Sequence, residues 1–219
     1  MILSYRLTIF RLFISCLISL CPIFVIATDL KFEDGTHYVT LKIPIATKYD
    51  DKIEVTEYFS YGCPACYQFE SVISVWVTSL ANDVEFNRTP AIWNEPYKLY
   101  AQTYYTAEAL NILEQIHPAL FNAIQKQLLG DPKEMAIFFS DYGVDPIDFA
   151  RVFNSFGVRT RLQQAEARGR AYRAAGVPAI IVNGKYRITG QMAGSKGEML
   201  LVADYLVQIE REAIGAKDN

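Results

Sequence analysis

The sequence is poor in the residues that build metal clusters and disulfide scaffolds, with four cysteines and two histidines in 219 residues. Cys16, Cys21, Cys63 and Cys66 contain one close pair with metal-type spacing, so neither a disulfide-knit mini-domain nor a structural zinc cluster fits. There is no internal repeat, no low-complexity tract and no large excess of one charge. At 51% hydrophobic and 21% charged, the chain has the composition of a folded globular protein rather than a disordered or collagenous one. Its length suits one large domain or two small ones.

A long apolar run is also missing. Arg6 and Arg11 precede an uncharged stretch, Leu12 to Ala27, that falls short of the ~20 residues a permanent span requires. It reads as a secretory signal peptide, residues 1–27, cleaved after Ala27. The alternatives are an uncleaved anchor or a lipid-attached start, for which residues 13–16 and 18–21 are imperfect attachment boxes. Removing residues 1–27 takes two arginines and no acid, leaving 19 basic and 24 acidic residues and a net charge of −5. Nucleic acid is a poor partner for such a chain. Cleavage also removes Cys16 and Cys21, so Cys63 and Cys66 become the only thiols of a protein sent to an oxidising compartment. A disulfide between them closes a very small loop and gains little by constraining the unfolded chain. The pair is better suited to chemistry than to stapling.

Ile53, Val55 and Phe59 alternate with polar neighbours over Lys52 to Phe59, a strand pattern ended by Ser60-Tyr61-Gly62. Phe69, Ile73, Trp76 and Leu80 then recur at helical spacing after Cys63-Pro64-Ala65-Cys66, and Pro64 suits a first helical position. Asn82-Asp83 ends this helix, and Val84 to Thr89 is a second strand. Residues 92–173 turn helical: Tyr97 to Leu113, then Pro118 opening a stretch with Phe121, Ile124 and Leu128 on one face. Gly130-Asp131-Pro132 and Gly143-Val144-Asp145-Pro146 mark boundaries between short helices. After Gly176, Ala179 to Val182, Asn183-Gly184 and Lys185 to Thr189 predict a tight hairpin. Gly190 to Gly197 reads as a loop, and Met199, Leu200, Ala203, Leu206, Val207 and Ile214 as one face of a last helix.

Thiol–disulfide exchange needs one sulfur with a lowered pKa and a second close enough to resolve a mixed disulfide. Cys63, at the helix start, faces unpaired N–H groups and the positive dipole end, which favour an anion. Cys66, one turn inward, is the candidate resolving thiol. The competing readings are an inert disulfide and a metal site completed by His37 or His117, neither of which has ligand-like spacing to the thiols. Glu57 lies on the same strand face as Ile53, Val55 and Phe59, and a buried carboxylate there needs a partner. Arg159, Arg161, Arg168, Arg170 and Arg173 read as a solvated helix face, and Trp76 and Trp93 as core or rim aromatics.

Together these features resemble the thioredoxin fold as elaborated in the DsbA family of exported bacterial thiol oxidants. The likeness spans the mature chain and is most specific at Phe32-Glu33-Asp34-Gly35, Glu57-Tyr58-Phe59-Ser60, Cys63 to Glu70, Gly176-Val177-Pro178-Ala179 and Val182-Asn183-Gly184-Lys185-Tyr186. It implies an α/β architecture: a discontinuous thioredoxin-like domain (28–91 and 174–219) with an all-helical domain (92–173) inserted in it. It implies a cis Val177–Pro178 step beside the dithiol, with the backbone of Val177 free to pair with an extended client. Arg88 falls where the family usually carries Lys, so Glu57 and Arg88 form either a pair that handles the proton of Cys66 or an ordinary ion pair. Ala65 stands where family oxidants commonly carry His, which implies a milder oxidant. The function implied is a periplasmic thiol:disulfide oxidoreductase that donates the Cys63–Cys66 disulfide to newly exported proteins. It would use no cofactor beyond that disulfide and no metal, act as a monomer, and be reoxidised by a membrane DsbB-like partner. A disulfide isomerase or reductant, and a redox-independent chaperone-like module, are the rival functions.

Overall fold

In the computed structural model, which describes residues 32–215, the chain enters through a two-residue strand, β1 (Val39–Thr40), and reaches the long strand β2 (Ile53–Phe59). Five of the seven β2 residues are β-branched or aromatic, the side chains that fit a pleated surface. Helix α1 (Pro64–Val77) carries the chain across to β3 (Val84–Pro90), which runs parallel to β2 from Ile53–Val84 to Phe59–Pro90. Five helices follow: α2 (Glu95–Ala109), α3 (Leu113–Gln125), α4 (Pro132–Ser140), α5 (Pro146–Phe153) and α6 (Phe156–Tyr172). The chain then returns to the sheet as β4 (Ala179–Val182) and β5 (Tyr186–Thr189), and ends in α7 (Gly190–Ala193) and α8 (Lys196–Gly215). The sheet order is β1-β5-β4-β2-β3, antiparallel except for the β2–β3 pair.

The interior strands β2 and β4 are buried along their whole length, because elements cover both faces. On one side Ile53, Val55, Ile180 and Val182 pack with Phe69 and Ile73 of α1 and Met199, Val202 and Leu206 of α8. On the other, Tyr58, Ala179 and Ile181 meet Tyr172 at the end of α6. A separate aromatic core fills the helical block and takes in Phe59, Tyr61, Cys63 and Cys66. The dithiol therefore sits where the end of β2 meets the inserted helices.

Local chemistry sets the boundaries. Asn94, Asp131, Asp145 and Ser155 cap α2, α4, α5 and α6 by accepting from backbone N–H groups, and a proline occupies the first turn of α2, α4 and α5. Asn183 and Gly184 both have positive φ (49° and 62°), as a tight primed turn requires. A Cβ on Gly184 would stand 2.0 Å from the Ile45 carbonyl oxygen.

Several boundaries differ from the sequence expectation. Helix α1 ends at Val77, ahead of Asn82, because the Thr78 and Ser79 hydroxyls donate to the Val75 and Trp76 carbonyls and satisfy the end of the helix. Helix α2 stops at Ala109 because Asn111 turns left-handed (φ 58°). Pro118 does not open a helix but lies inside α3; burial of Ile116, His117, Leu120, Phe121 and Ile124 on that helix outweighs the bond proline removes. The expected loop at 190–197 contains the single turn of α7 and the first residues of α8. Arg168 is half-buried against Glu54, a buried acid, rather than solvated, whereas Arg161 and Arg170 pair at the surface with Glu108 and Glu166. The expected signal peptide, with Cys16 and Cys21, lies outside the described residues.

Candidate active site

The turn after β2 leaves little room: a Cβ on Gly62 would lie 2.8 Å from the Tyr100 ring, so glycine lets the chain pass between sheet and insert. Cys63 then takes an extended conformation as the N-cap of α1, its N–H donating to the Ser60 carbonyl (3.1 Å) and its sulfur accepting from the Cys66 N–H (3.3 Å). Pro64 fills the first helical turn, where a missing N–H costs nothing. Both cysteines are free thiols; Cys63 is 7% exposed and Cys66 wholly buried.

Their environments push the two sulfurs in opposite directions. Hydrogen bonding from the Cys66 thiol, then from the N–H groups of Cys66 and Ala65, and the charge of Lys196 outweigh burial and lower the Cys63 pKa to about 6. Burial, with the adjacent Cys63 and the charge of Glu57, raises Cys66 far above an ordinary thiol. The helix terminus does not act alone on Cys63, because the Cys66 thiol and Lys196 add to it.

Val177 and Pro178 are joined by a cis peptide bond, and the Cys63 sulfur lies 3.4 Å from the Val177 carbonyl oxygen. Ala65, Val177 and Pro178 line one cavity beside the dithiol.

Behind Cys66 runs a chain of polar groups through the aromatic core. Glu57 and Arg88 are register partners on β2 and β3, and the Arg88 Nε donates to the Glu57 carboxylate at 2.9 Å. Arg88 also reaches Glu70, one turn beyond Cys66, at 3.1 and 3.3 Å. Glu70 lies 3.4 Å from the His117 Nε2, a long contact, and the His117 Nδ1 is 2.6 Å from the Tyr61 hydroxyl. Burial keeps His117 low, hence neutral, and Tyr61 high, so the hydroxyl donates to Nδ1 and the Nε2 proton faces Glu70. Burial also lifts Glu57 to about 7 despite Arg88, and its second oxygen has no partner.

The geometry thus brings together Cys63, Cys66, Pro64, Ala65, Val177 and Pro178, and joins Glu57 to Arg88. Sequence reasoning missed Glu70, His117, Tyr61 and Lys196. Glu70 was within reach of it, since position i+4 from Cys66 shares its helix face; the other three are brought in by tertiary packing. His117 belongs to the polar chain and His37 accepts from the Glu33 N–H. Among the described residues no three His, Cys, Asp or Glu side chains gather as a metal site. Trp76 is half-buried and donates to Asp204, whereas Trp93 is 48% exposed and stacks on Tyr97.

Comparison with known proteins agrees with this geometry. Residues 81–202 match the family model of a DSBA-like thioredoxin domain. The thiol:disulfide interchange protein DsbA of Azotobacter vinelandii is 40% identical over 187 residues, covering 84% of this chain and 86% of that one. The crystal structure of Pseudomonas aeruginosa DsbA superposes with a TM-score of 0.80 at 39% identity, over 84% of this chain and 97% of that one. A Proteus mirabilis DsbA solved with a non-covalently bound peptide superposes with a TM-score of 0.70 at 26% identity, over 82% and 98% of the two chains.

Proposed function

The chain belongs to the DsbA family of thiol:disulfide oxidoreductases, and from that membership we propose that Cys63 and Cys66 are its reacting pair and act as a disulfide donor. The observation that carries this reading is the placement of Cys63 as the N-cap of α1, its sulfur accepting from the Cys66 N–H and lying beside the Val177 carbonyl, with Cys66 wholly buried behind it. These surroundings push Cys63 down to about 6 and Cys66 far upward.

In the oxidised protein a client thiolate attacks the Cys63 sulfur. The Cys63–Cys66 bond breaks, Cys66 leaves with the electron pair, and a mixed disulfide joins client to Cys63. A second client thiolate attacks the client sulfur of that bond and expels Cys63. The client is oxidised to a disulfide and the protein reduced to a dithiol. Cys63 is a good leaving group because its thiolate is stabilised, and this favours release of oxidised client over retention. Cys66 is a poor anion and must collect a proton as it leaves. Glu57, held near 7 by burial, is partly protonated at neutral pH and has a free oxygen, which suits it to supply that proton, with Arg88 and Glu70 holding the carboxylate in place.

The client is an unfolded or partly folded exported protein whose extended backbone pairs with the main chain at Val177, beside Pro178; that a relative was solved with a non-covalently bound peptide supports a peptide client. The protein works as a monomer in the periplasm, delivered by a cleaved signal peptide. A membrane DsbB-like partner restores the Cys63–Cys66 disulfide, which serves as the sole redox group. Among the described residues no helix is long and apolar enough to cross a membrane.

The test is the equilibrium of the dithiol against glutathione buffers. A donor becomes oxidised only in strongly oxidising mixtures. A dithiol that oxidises readily would make the protein a reductant or isomerase and overturn this reading.

A further inference from the structure

A cavity of about 530 Å³ opens beside the dithiol, with Ala65, Val177 and Pro178 on its wall. Among the described residues the same wall carries three cationic side chains, Arg173, Arg187 and Lys196, and no aspartate or glutamate. That is unusual for a chain with 24 acids and 21 bases.

Among the described residues the three cations have no acidic partner. Of the nine arginines among the described residues, six are ion-paired: Arg88, Arg151, Arg161, Arg168, Arg170 and Arg211. Two of the remaining three, Arg173 and Arg187, face this cavity. The Arg187 guanidinium donates to the Tyr172 and Arg173 carbonyls at the end of α6, and its Nε is buried with no acceptor. Arg173 caps the same helix end in a left-handed conformation. The Lys196 ammonium donates to the neutral Gln68 oxygen at 2.5 Å. A carboxylate is the group that best complements a guanidinium or ammonium that has no acidic partner. Apolar wall and unpaired cations together describe a pocket for a short extended segment bearing one anion.

We propose that this cavity selects client segments that carry Asp or Glu within a few residues of the reacting cysteine. The inference rests on the disulfide-donor reading, since the segment must be one whose cysteine attacks Cys63. The acidic side chain docks among Arg173, Arg187 and Lys196 while the client backbone passes Val177 and Pro178. By engaging Lys196 it also draws away part of the positive field that acts on Cys63.

The experiment uses the oxidised mature protein and single-cysteine peptides that differ at one position, two residues before or two residues after the cysteine, where each carries Asp, Asn or Lys. The rate of mixed-disulfide formation is followed at low and high salt. At low salt one position should give an Asp peptide about fivefold faster than its Asn counterpart, with Lys slowest, and the spread should collapse at high salt. Arg173→Gln and Lys196→Gln should each reduce the Asp-to-Asn ratio; a ratio is read because it cancels any change in the reactivity of Cys63 itself. Equal Asp and Asn rates at both positions would overturn the inference and leave the donor reading standing. An Asp preference that survives both high salt and both substitutions would place the selection elsewhere and overturn it too. Failure of every peptide to react would sink the donor reading and this inference with it.

Discussion

At the scale of single residues, the two sulfurs of the dithiol are separated by what each touches. If Cys63 is attacked and Cys66 resolves, Cys66→Ala should accumulate mixed disulfides with exported proteins and Cys63→Ser none, as read on non-reducing gels; equal trapping would reverse the assignment. Glu57 gives a second, independent test. Its folded pKa of about 7 lies above its ordinary 4.5, so the native state binds a proton more tightly than the unfolded one. The stability this provides is complete below 4.5 and is lost as pH rises through 7. Glu57→Gln should abolish that decline. The stability of the variant relative to the parent should therefore climb between pH 5 and 8 by on the order of 3 kcal/mol, measured by urea unfolding of the reduced proteins. A flat difference would mean that Glu57 is ionised throughout and holds no proton for Cys66.

The placement of Cys63 and Cys66 at the start of α1 could be read from the sequence because two thiols at a helix start are a local fact. The need of Glu57 for a partner was equally visible, from one charge on an apolar strand face. His117 and Tyr61, by contrast, lie 56 residues apart, and no spacing rule joins a turn after a strand to the middle of an inserted helix.

At the scale of elements, the strands with clean alternation or a two-residue turn were legible, and the helices with an Asp-Pro start were too. What escaped was short or overridden. Strand β1 has two residues, too few for alternation, and α3 runs through Pro118 because tertiary burial wins over propensity. Two substitutions probe the fit between elements. Gly184→Ala combines a positive φ with a Cβ 2.0 Å from backbone, and should cost more than about 3 kcal/mol in thermal or urea unfolding. Gly62→Ala meets only the edge of a tyrosine ring that can rotate aside, so its cost should be smaller. At the start of α1, Ala65→His adds a donor beside the Cys63 sulfur. It should shift the glutathione equilibrium toward the reduced form, and an unchanged equilibrium would show that the imidazole does not reach the thiolate.

At the scale of the whole molecule, redox state and stability are linked. Cys63 is displaced below its ordinary 9.0, to about 6. The reduced protein therefore gains stability that is complete above 9 and disappears as pH falls through 6. At pH 7 the gain is at most about 1.4 kcal/mol, because solvent screening reduces it, and oxidation abolishes it while closing only a very small loop. Reduced protein should melt above oxidised protein at pH 7 to 8, and the gap should close toward pH 5. An oxidised form that melts higher throughout would mark the bond as structural.

The line from Glu57 through Arg88 and Glu70 to His117 and Tyr61 also acts as a cross-link. Its members come from β2, β3, α1, α3 and the turn between β2 and α1, and its Tyr61–His117 bond is the directional link from the sheet side to the inserted helices in an apolar interior. Parting the two would break the Tyr61–His117 hydrogen bond and leave neutral polar groups unpaired in that interior, at about 1–3 kcal/mol each. Neither part has an inexpensive way to open alone. Amide protons of α3 and β3 should accordingly exchange with deuterium at one common, slow rate, as the two sides of a seam that opens only when the whole garment does.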